Sequence, residues 1–556
     1  MSPQIAIPAA GLVVAARPGR NLLETLAEAG LHLEGPCGGA GRCGKCRVEI
    51  LAGRPPRPTA EEKALLPAED PARPVRLACL LIPESDLTIS LPRALRDAPI
   101  LSSGRSRARP FEPPLAETLP AGAGGSEAGD ATAHLYGLAA DIGTTTIVAS
   151  LADLRDGREL GVRSRINPQT RHGLDIISRI AYCGEKGAAG TAELQKELTG
   201  ALNDLALDLA RDRQIEPRHI RLVAAAANTA LIHILAGISP VSLGRAPFAP
   251  VFTRSLSLSP AVFGPGPLAG AGLITLPSVS AYIGADAVAG AFVCELAGLD
   301  RALFIDLGTN GEMILSSSGR LLACSCAAGP ALEGMSIQYG LRAAAGAVSE
   351  VSLRRTPDEW RTELSVVGRE APAGLCGSGL LAAIREFLRL DLIRRDGRIR
   401  PAEELPAGDP RRALCRLWDG RPALGFTGTD IRLTQKDVRQ TQLAKGAILS
   451  ACRALLLQAG LETSDLERVL VAGQFGSHLS PASLTGCGLL PPELGGRLEY
   501  VGNTSRAGAR LALTSRSALA AMEELAARID YFELAAFPGY DRLFAESLRF
   551  PEPRFL

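Results

Sequence analysis

Cys37-Gly-Gly-Ala-Gly-Arg-Cys43-Gly-Lys-Cys46 sets three thiols in a short glycine-rich stretch, and a fourth, Cys79, follows in Arg-Leu-Ala-Cys79-Leu after thirty-two further residues. A loop that supplies three ligands and a later strand end that supplies the last is how a chain wraps a two-iron, two-sulfur cluster. Gly38, Gly39, Gly41 and Gly44 suit such a loop, which needs positive φ angles and little side-chain bulk around inorganic sulfide. Structural zinc is the competing use of these thiols. Zinc sites usually present two close ligand pairs, and here only Cys43 and Cys46 form one, with no histidine near. A disulfide framework would need a secretory context that the sequence does not suggest.

The chain has 556 residues, 46% of them hydrophobic and 21% charged, enough for more than one core. Its formal net charge is +1, so no basic excess speaks for nucleic acid and no polybasic run for a membrane surface. Aromatics make up only 4%, while Gly and Ala are abundant, which favours tightly turned α/β architecture. Twelve cysteines point to a reducing compartment. The opening Met-Ser-Pro-Gln-Ile-Ala-Ile lacks the charged lead and long apolar core of a signal peptide. The longest apolar run, Leu222 to Ile238, is broken by Asn228, Thr229 and His233 and is a poor membrane span. The expected location is the cytoplasm.

Around the cysteine loop, residues 1–92 read as one small domain. Gln4 to Val14 suggests two strands turning near Ala10-Gly11, and Asn21 can cap a helix to about Ala29 with Leu22, Leu23 and Leu26 on one face. Strands follow over Cys46 to Leu51, Arg76 to Leu81 and Asp86 to Leu91, with a proline-rich segment after Gly53. Strands, one helix and a cluster loop in this length resemble the β-grasp ferredoxins. The C-x5-C-x2-C spacing departs by one residue from the plant-type pattern and is similar to ferredoxins of the adrenal type. Residues 93–134 carry no hydrophobic periodicity and are expected to be a linker, flexible at the glycine end and stiffer at Pro113-Pro114.

From Leu135 an apolar strand runs into Asp141-Ile-Gly143-Thr144-Thr145-Thr146. A carboxylate and a Gly-Thr turn at a strand end make a phosphate-binding hairpin: glycine lets backbone N–H groups approach phosphate, hydroxyls add donors, and the carboxylate can hold hydrated magnesium. The same logic returns at Asp306-Leu-Gly308-Thr309-Asn310-Gly311-Glu312. Two copies imply duplicated halves facing one nucleotide. Later, Arg468 to Ala472 is a buried strand entering the turn Gly473-Gln474-Phe475-Gly476, which can pass close to an adenosine.

Together the paired hairpins and the Gly473–Gly476 turn resemble the acetate/sugar kinase, heat-shock chaperone and actin superfamily, in which two ribonuclease-H-like lobes clamp ATP. Joined to a two-iron ferredoxin, the chain is similar to the reductive activators of corrinoid-dependent enzymes. Ala227-Asn228-Thr229, Val279 to Asp286, Ala327-Ala-Gly329-Pro330-Ala-Leu-Glu333-Gly334, Leu375 to Leu380, Gln442-Leu-Ala-Lys445 and Val501-Gly-Asn503-Thr504 match that group in order. The resemblance implies a multidomain α/β and α+β fold: a β-grasp ferredoxin (1–92), the linker (93–134) and an actin-like ATPase (135–556). Within the ATPase it implies lobe one over about 135–300, lobe two over about 301–515 and a C-terminal segment, 516–556. Some relatives carry a small extra domain between ferredoxin and ATPase, which this chain replaces by the linker alone.

The implied cofactors are a [2Fe-2S] cluster on Cys37, Cys43, Cys46 and Cys79, and ATP with Mg2+. Asp141 and Asp306 are the expected catalytic carboxylates. Gly143, Thr144, Thr145, Thr146, Gly308, Thr309, Asn310, Gly311, Glu312, Gly329 and Glu333 are expected around phosphate and metal, and Gly473, Gln474 and Gly476 at adenosine. Glu312 and Glu333 read equally as turn residues. Ser278, Ser280 and Asp286 either line the cleft or cap a helix. Cys324 and Cys326 read as buried inert thiols, and the six histidines form no metal spacing.

The implied function is ATP-dependent reductive activation: an electron passes from the cluster to an inactive Co(II) corrinoid protein of a methyltransferase system, such as one for O-demethylation, regenerating Co(I). That transfer runs uphill, about 59 mV costing tenfold in equilibrium for one electron, so ATP must act through differential binding. A low-potential electron donor and a homodimer belong to the same expectation. Two other uses of the modules stand beside it: a small-molecule kinase with a regulatory iron–sulfur domain, and an ATP-switched electron carrier for another low-potential enzyme.

Overall fold

The computed structural model describes residues 2–8, 11–29, 31, 33, 39, 41–42, 44–66, 74–91, 105, 109–113, 134–173, 175–357, 359–368, 370–473 and 479–552. They fall into two compact units, Met1–Pro99 with Pro330–Thr441, and Ile100–Gly329 with Gln442–Leu556.

The first unit contains the expected small β domain. Its five strands lie in the order Leu12–Ala15, Gln4–Ile7, Leu87–Ser90, Arg47–Gly53, Val75–Leu77. Gln4–Ile7 runs parallel to Leu87–Ser90, and the other pairs are antiparallel. The helix Leu22–Glu28 starts on a reciprocal cap: the Glu24 N–H donates to Asn21 Oδ1 at 2.9 Å, and the Asn21 N–H donates to the Glu24 carboxylate. Leu22 and Leu26 then bury with Ile5, Val48, Leu77 and Ile89, a helix gripped by a mixed sheet. The strand expected over Arg76 to Leu81 ends at Leu77, and Ala78–Leu80 turn to present Cys79. Inside the proline-rich stretch a helix unforeseen in the sequence, Ala60–Leu65, is capped by Thr59. It brings the wholly buried Glu62 against Arg76 in a two-pronged ion pair at 2.8 and 2.9 Å.

The run expected as one second lobe, 301–515, is interrupted. Pro330–Thr441 groups with the ferredoxin residues and carries two three-stranded sheets and the helix Gly377–Arg389. Lys45, between Cys43 and Cys46 in sequence, donates to the carbonyls of Ile337, Gln338 and Gly340 in this segment.

The second unit holds two six-stranded sheets that share one plan. In the first, Glu159–Ile166, Thr146–Asp153 and Tyr136–Ile142 pair antiparallel, and Ile220–Ala227 and Gly272–Thr275 continue in parallel. In the second, Arg320–Cys326, Gly311–Ser317 and Ala302–Leu307 pair antiparallel, and Arg468–Ala472 and Leu498–Gly502 continue in parallel. The copies differ at their edges. Leu256–Leu258 extends the first sheet, and Ile529–Tyr531, from the C-terminal segment, extends the second beside Arg320–Cys326. Helices Ala285–Val293 and Thr504–Thr514 follow the fifth strand of each copy and cross at glycines. A Cβ on Gly508 would lie 2.4 Å from Ala289 Cβ, and one on Gly290 would lie 2.2 Å from the Phe304 ring.

Several described residues of the expected linker are tied to this unit rather than loose. The Arg105 N–H donates to Val501 O at 2.7 Å, and Arg109 lies over the Phe292 ring. Glu112 bridges Ser515: its N–H donates to Thr514 O at 2.8 Å, and its carbonyl accepts from the Arg516 N–H at 2.8 Å.

Candidate functional site

Asp141 and Asp306 occupy matching places, next to last in the central strands Tyr136–Ile142 and Ala302–Leu307. In each sheet the central strand has an antiparallel neighbour on one side and a parallel one on the other, so the chain leaves in opposite directions at that point. The carboxyl ends of strands at such a switch point open a crevice for ligands. Every other residue of the two strands is buried, and only the aspartates keep partial exposure.

The helix that follows each copy's fifth strand serves the other copy's aspartate. From the second copy, Asn503 Nδ2 donates to Asp141 Oδ2 at 2.8 Å and Ser505 Oγ donates to Asp141 Oδ1 at 2.7 Å. From the first copy, Asp286 in the opening turn of Ala285–Val293 exerts its charge on Asp306 and on Glu312. Burial, then Asp286 and Asp141, push the Asp306 carboxyl up to about 8. Burial is likewise the leading cause for Asp286, raised to about 6 with Asp141 adding to it, and for Glu312, raised well above the carboxylate range by burial, Asp286 and Asp306. Asp141 is raised by burial, against which Ser505 and Asn503 act. Solvent still touches all four groups, yet protein atoms crowd them enough that each resists ionising, and for Asp286, Asp306 and Glu312 a neighbouring carboxylate adds to that resistance.

Both hairpin turns are closed by their own backbone. The Gly143 N–H donates to Thr146 O at 2.9 Å, the Gly308 N–H to Asn310 O at 2.8 Å, and the Gly329 N–H to Thr309 O at 2.8 Å. Thr146 and Gly311 begin the outgoing strands, and the Asn310 side chain bonds to Glu312. Asn228, capping the helix Thr229–Leu235, also donates to Thr144 Oγ1 at 3.3 Å. Gly473 sits at φ +96°, and a Cβ there would lie 2.7 Å from Asp306 Oδ1 and 2.4 Å from Leu307 O. Only glycine lets that turn pass so close to the carboxylate. Gln474 and Gly476 lie outside the described residues. Glu333 ends the short turn Pro330–Glu333, a segment of the first unit.

Of the four cysteines expected as ligands, Cys46 and Cys79 are buried, with their sulfurs 3.2 Å apart, while Cys37 and Cys43 lie outside the described residues. Two thiols this close, yet too far apart for a disulfide, suit a pair of ligands to one metal centre. Gly39, Gly41 and Gly44 have φ of +86°, +67° and +67°, and a Cβ on Gly41 would lie 2.9 Å from Leu80 Cδ2. The glycine-rich loop therefore needs its glycines for both conformation and space.

Other groups singled out in the sequence have local roles. Ser280 Oγ accepts from the N–H groups of Tyr282 and Ile283, a turn rather than a ligand site. Cys324 and Cys326 are buried, and burial holds both thiols far above neutrality, Cys326 at about 12. His172, Glu193 and Glu197 meet on the surface of the second unit, where Arg171 and Tyr182 hold the two carboxylates. Asn503 was visible in the sequence only within a matching stretch, and Ser505 not at all.

Residues 300–555 match the family described as the C-terminal, ASKHA domain of RACo, residues 136–298 match the RACo middle region, and residues 8–84 match a 2Fe-2S iron–sulfur cluster binding domain. The chain is 32% identical to the corrinoid activation enzyme RamQ of Eubacterium limosum over 418 residues, 73% of this chain and 69% of that one. It is 28% identical over 308 residues to the [Co(II) methylated amine-specific corrinoid protein] reductase of Methanosarcina barkeri, covering 51% of this chain and 52% of the relative. A solved structure, the reductive activator for corrinoid, iron–sulfur protein, matches 99% of this chain and 98% of its own, with 28% identity and a TM-score of 0.68.

Proposed function

The chain belongs to the reductive activators of corrinoid proteins, with a 2Fe-2S domain ahead of an actin-like ATPase, and we propose that it couples ATP at the paired hairpins to one-electron reduction of a Co(II) corrinoid protein. The corrinoid protein is its macromolecular partner. The observation that carries the ATP reading is the convergence of Asp141, Asp286, Asp306 and Glu312 at the switch points of two copies of one sheet. Four carboxylates raised by burial, three of them further by a neighbouring carboxylate, fit a divalent cation, whose charge reverses that cost. Mg2+ accompanying ATP would be held there, and it supplies neutralisation of the phosphate oxygens.

Each residue then has a defined task. Asn503 and Ser505 fix both oxygens of Asp141, so this carboxylate keeps one orientation toward metal or water. Asp306 and Glu312 complete the acidic floor. The turns Gly143–Thr146 and Gly308–Asn310 offer N–H and hydroxyl donors to the phosphates, and Gly473 lets the adenosine-side turn close against Asp306. Gln474 and Gly476 keep their proposed places beside the nucleotide.

Cys37, Cys43, Cys46 and Cys79 hold the [2Fe-2S] cluster, which supplies one electron at a time. The chain's burial of Cys46 and Cys79 keeps water from two of the four ligand atoms. Because cobalt reduction lies uphill of the cluster, the chain must bind the corrinoid protein differently with and without nucleotide. We place a low-potential donor upstream, a homodimer as the working assembly and the cytoplasm as its location. The test mixes the reduced chain, a Co(II) corrinoid protein of a methyltransferase system and Mg-ATP under anaerobic conditions. Co(I) absorbance is expected only with ATP, and its appearance without nucleotide would refute the coupling.

A further inference from the structure

The turn Gly143-Thr144-Thr145 gives all three of its carbonyls to two side chains and one backbone amide behind it. Asn167 Nδ2 donates to Gly143 O at 2.9 Å, Arg179 Nη2 donates to Thr144 O, and the Asn167 N–H donates to Thr145 O at 2.9 Å. Across a trans peptide, a carbonyl and the next N–H point in opposite directions. The N–H groups of Thr144, Thr145 and Thr146 therefore point away from whatever holds the preceding carbonyl. Successive N–H groups turned outward make a concavity for an anion.

The groups behind the turn are themselves fixed. Asn167, Gln169 and Arg179 are each 0% exposed. Asn167 Oδ1 accepts from the Gln169 N–H at 3.1 Å, and Gln169 Nε2 donates to Leu194 O at 2.9 Å. Arg179 donates through Nη1 to Gln169 Oε1 at 3.1 Å and through Nε to Gly173 O at 3.2 Å. All its acceptors are thus neutral oxygens, and among the described residues no carboxylate comes within ion-pair distance of it. Burial draws its guanidinium down to about 10, with Asp175 and Glu197 acting against that from farther off. A fully buried cation ordinarily has a counter-charge. Through the Thr144 carbonyl that it holds, Arg179 lies a single peptide away from the outer side of the turn.

We infer that Asn167 and Arg179 are positioning residues that aim the Gly143–Thr145 turn at a polyphosphate, Arg179 adding its charge from beneath. This rests on the ATP reading above. Neither residue touches the nucleotide, so both act through the peptide groups they hold.

The experiment compares the full chain with Asn167→Asp, Arg179→Met and Arg179→Lys, measuring affinity for ATP and for adenosine by calorimetry, with melting temperatures taken in parallel. Asn167→Asp keeps the acceptor for the Gln169 N–H and loses the donor to Gly143. Each of Asn167→Asp and Arg179→Met is expected to weaken ATP about tenfold or more and to leave adenosine unchanged, with Arg179→Lys recovering part of the loss. If Arg179→Met fails to fold, Asn167→Asp decides. Equal losses for ATP and adenosine would reduce both residues to a structural role and overturn the inference, as would unchanged ATP affinity. Wild-type chain that takes up no ATP would overturn it together with the ATP reading, whereas altered variants alone bear only on the positioning.

Discussion

Asp306 is the residue at which charge and function conflict most openly. Its carboxyl is raised to about 8 by burial and by Asp286 and Asp141, so the nucleotide-free fold holds a proton there that the unfolded chain releases near pH 4. A group bound more tightly by protons in the fold lowers stability as pH climbs from that unfolded value to the folded one. Nucleotide-free protein should therefore melt at falling temperature from about pH 4 toward pH 8, and Mg-ATP should flatten the trend. Asp306→Asn is expected to be more stable than wild type at pH 8, by a few kcal/mol at most, and so to melt higher, while losing ATP-dependent Co(I) formation. A variant no more stable than wild type at pH 8 would show that the repulsion is already relieved. Asp141 and Asp306 were legible in the sequence because a strand, a carboxylate and a Gly-Thr turn are contiguous. The part that Asn503 and Ser505 play at Asp141 was not, because they reach it across 362 and 364 positions, and no local pattern records such a partner.

Among the elements, the helix Ala60–Leu65 shows what sequence periodicity passes over. Six residues between prolines give no stripe to detect, and its value lies in one side chain. Glu62 Oε1 accepts from Arg76 Nε and from the Leu77 N–H at 2.7 Å, while Arg76 Nη1 donates to Pro56 O at 2.6 Å. This knot fixes the strand just ahead of Cys79. Removing one partner of a buried pair strands the other, at about 3–5 kcal/mol. Glu62→Ala should therefore lose the cluster's visible absorbance at markedly lower temperature, with ATP affinity unaltered. Loss of both signals together would mean that the knot does not act locally. The segment Pro330–Thr441 was equally hidden. Its short strands, such as Arg421–Gly425 and Arg432–Thr434, lie between two pieces of the second sheet, and the sequence alone ran them together as one lobe. The duplicated sheets were legible as far as their hairpins, since each repeats Asp-x-Gly-Thr; the exchange of helices Ala285–Val293 and Thr504–Thr514 between copies was not.

In the whole molecule, the residues proposed for electron carriage and those proposed for nucleotide binding are separate sets. Cys79→Ser should abolish Co(I) formation while leaving ATP affinity and hydrolysis near wild type, read by visible spectroscopy and phosphate release on the same preparation. Nucleotide turnover that failed along with the cluster would require the two to be one cooperative site. Glu112, hydrogen-bonded on both sides of its bridge to Ser515, and Arg105, bonded to Val501, are backbone partners of the second unit and not bystanders. A peptide whose N–H and C=O are both engaged resists the extended conformation that proteases require. Limited digestion of the folded chain should therefore spare the bonds on either side of Glu112, and cutting there should cost the second unit melting temperature while the visible absorbance stays as it was.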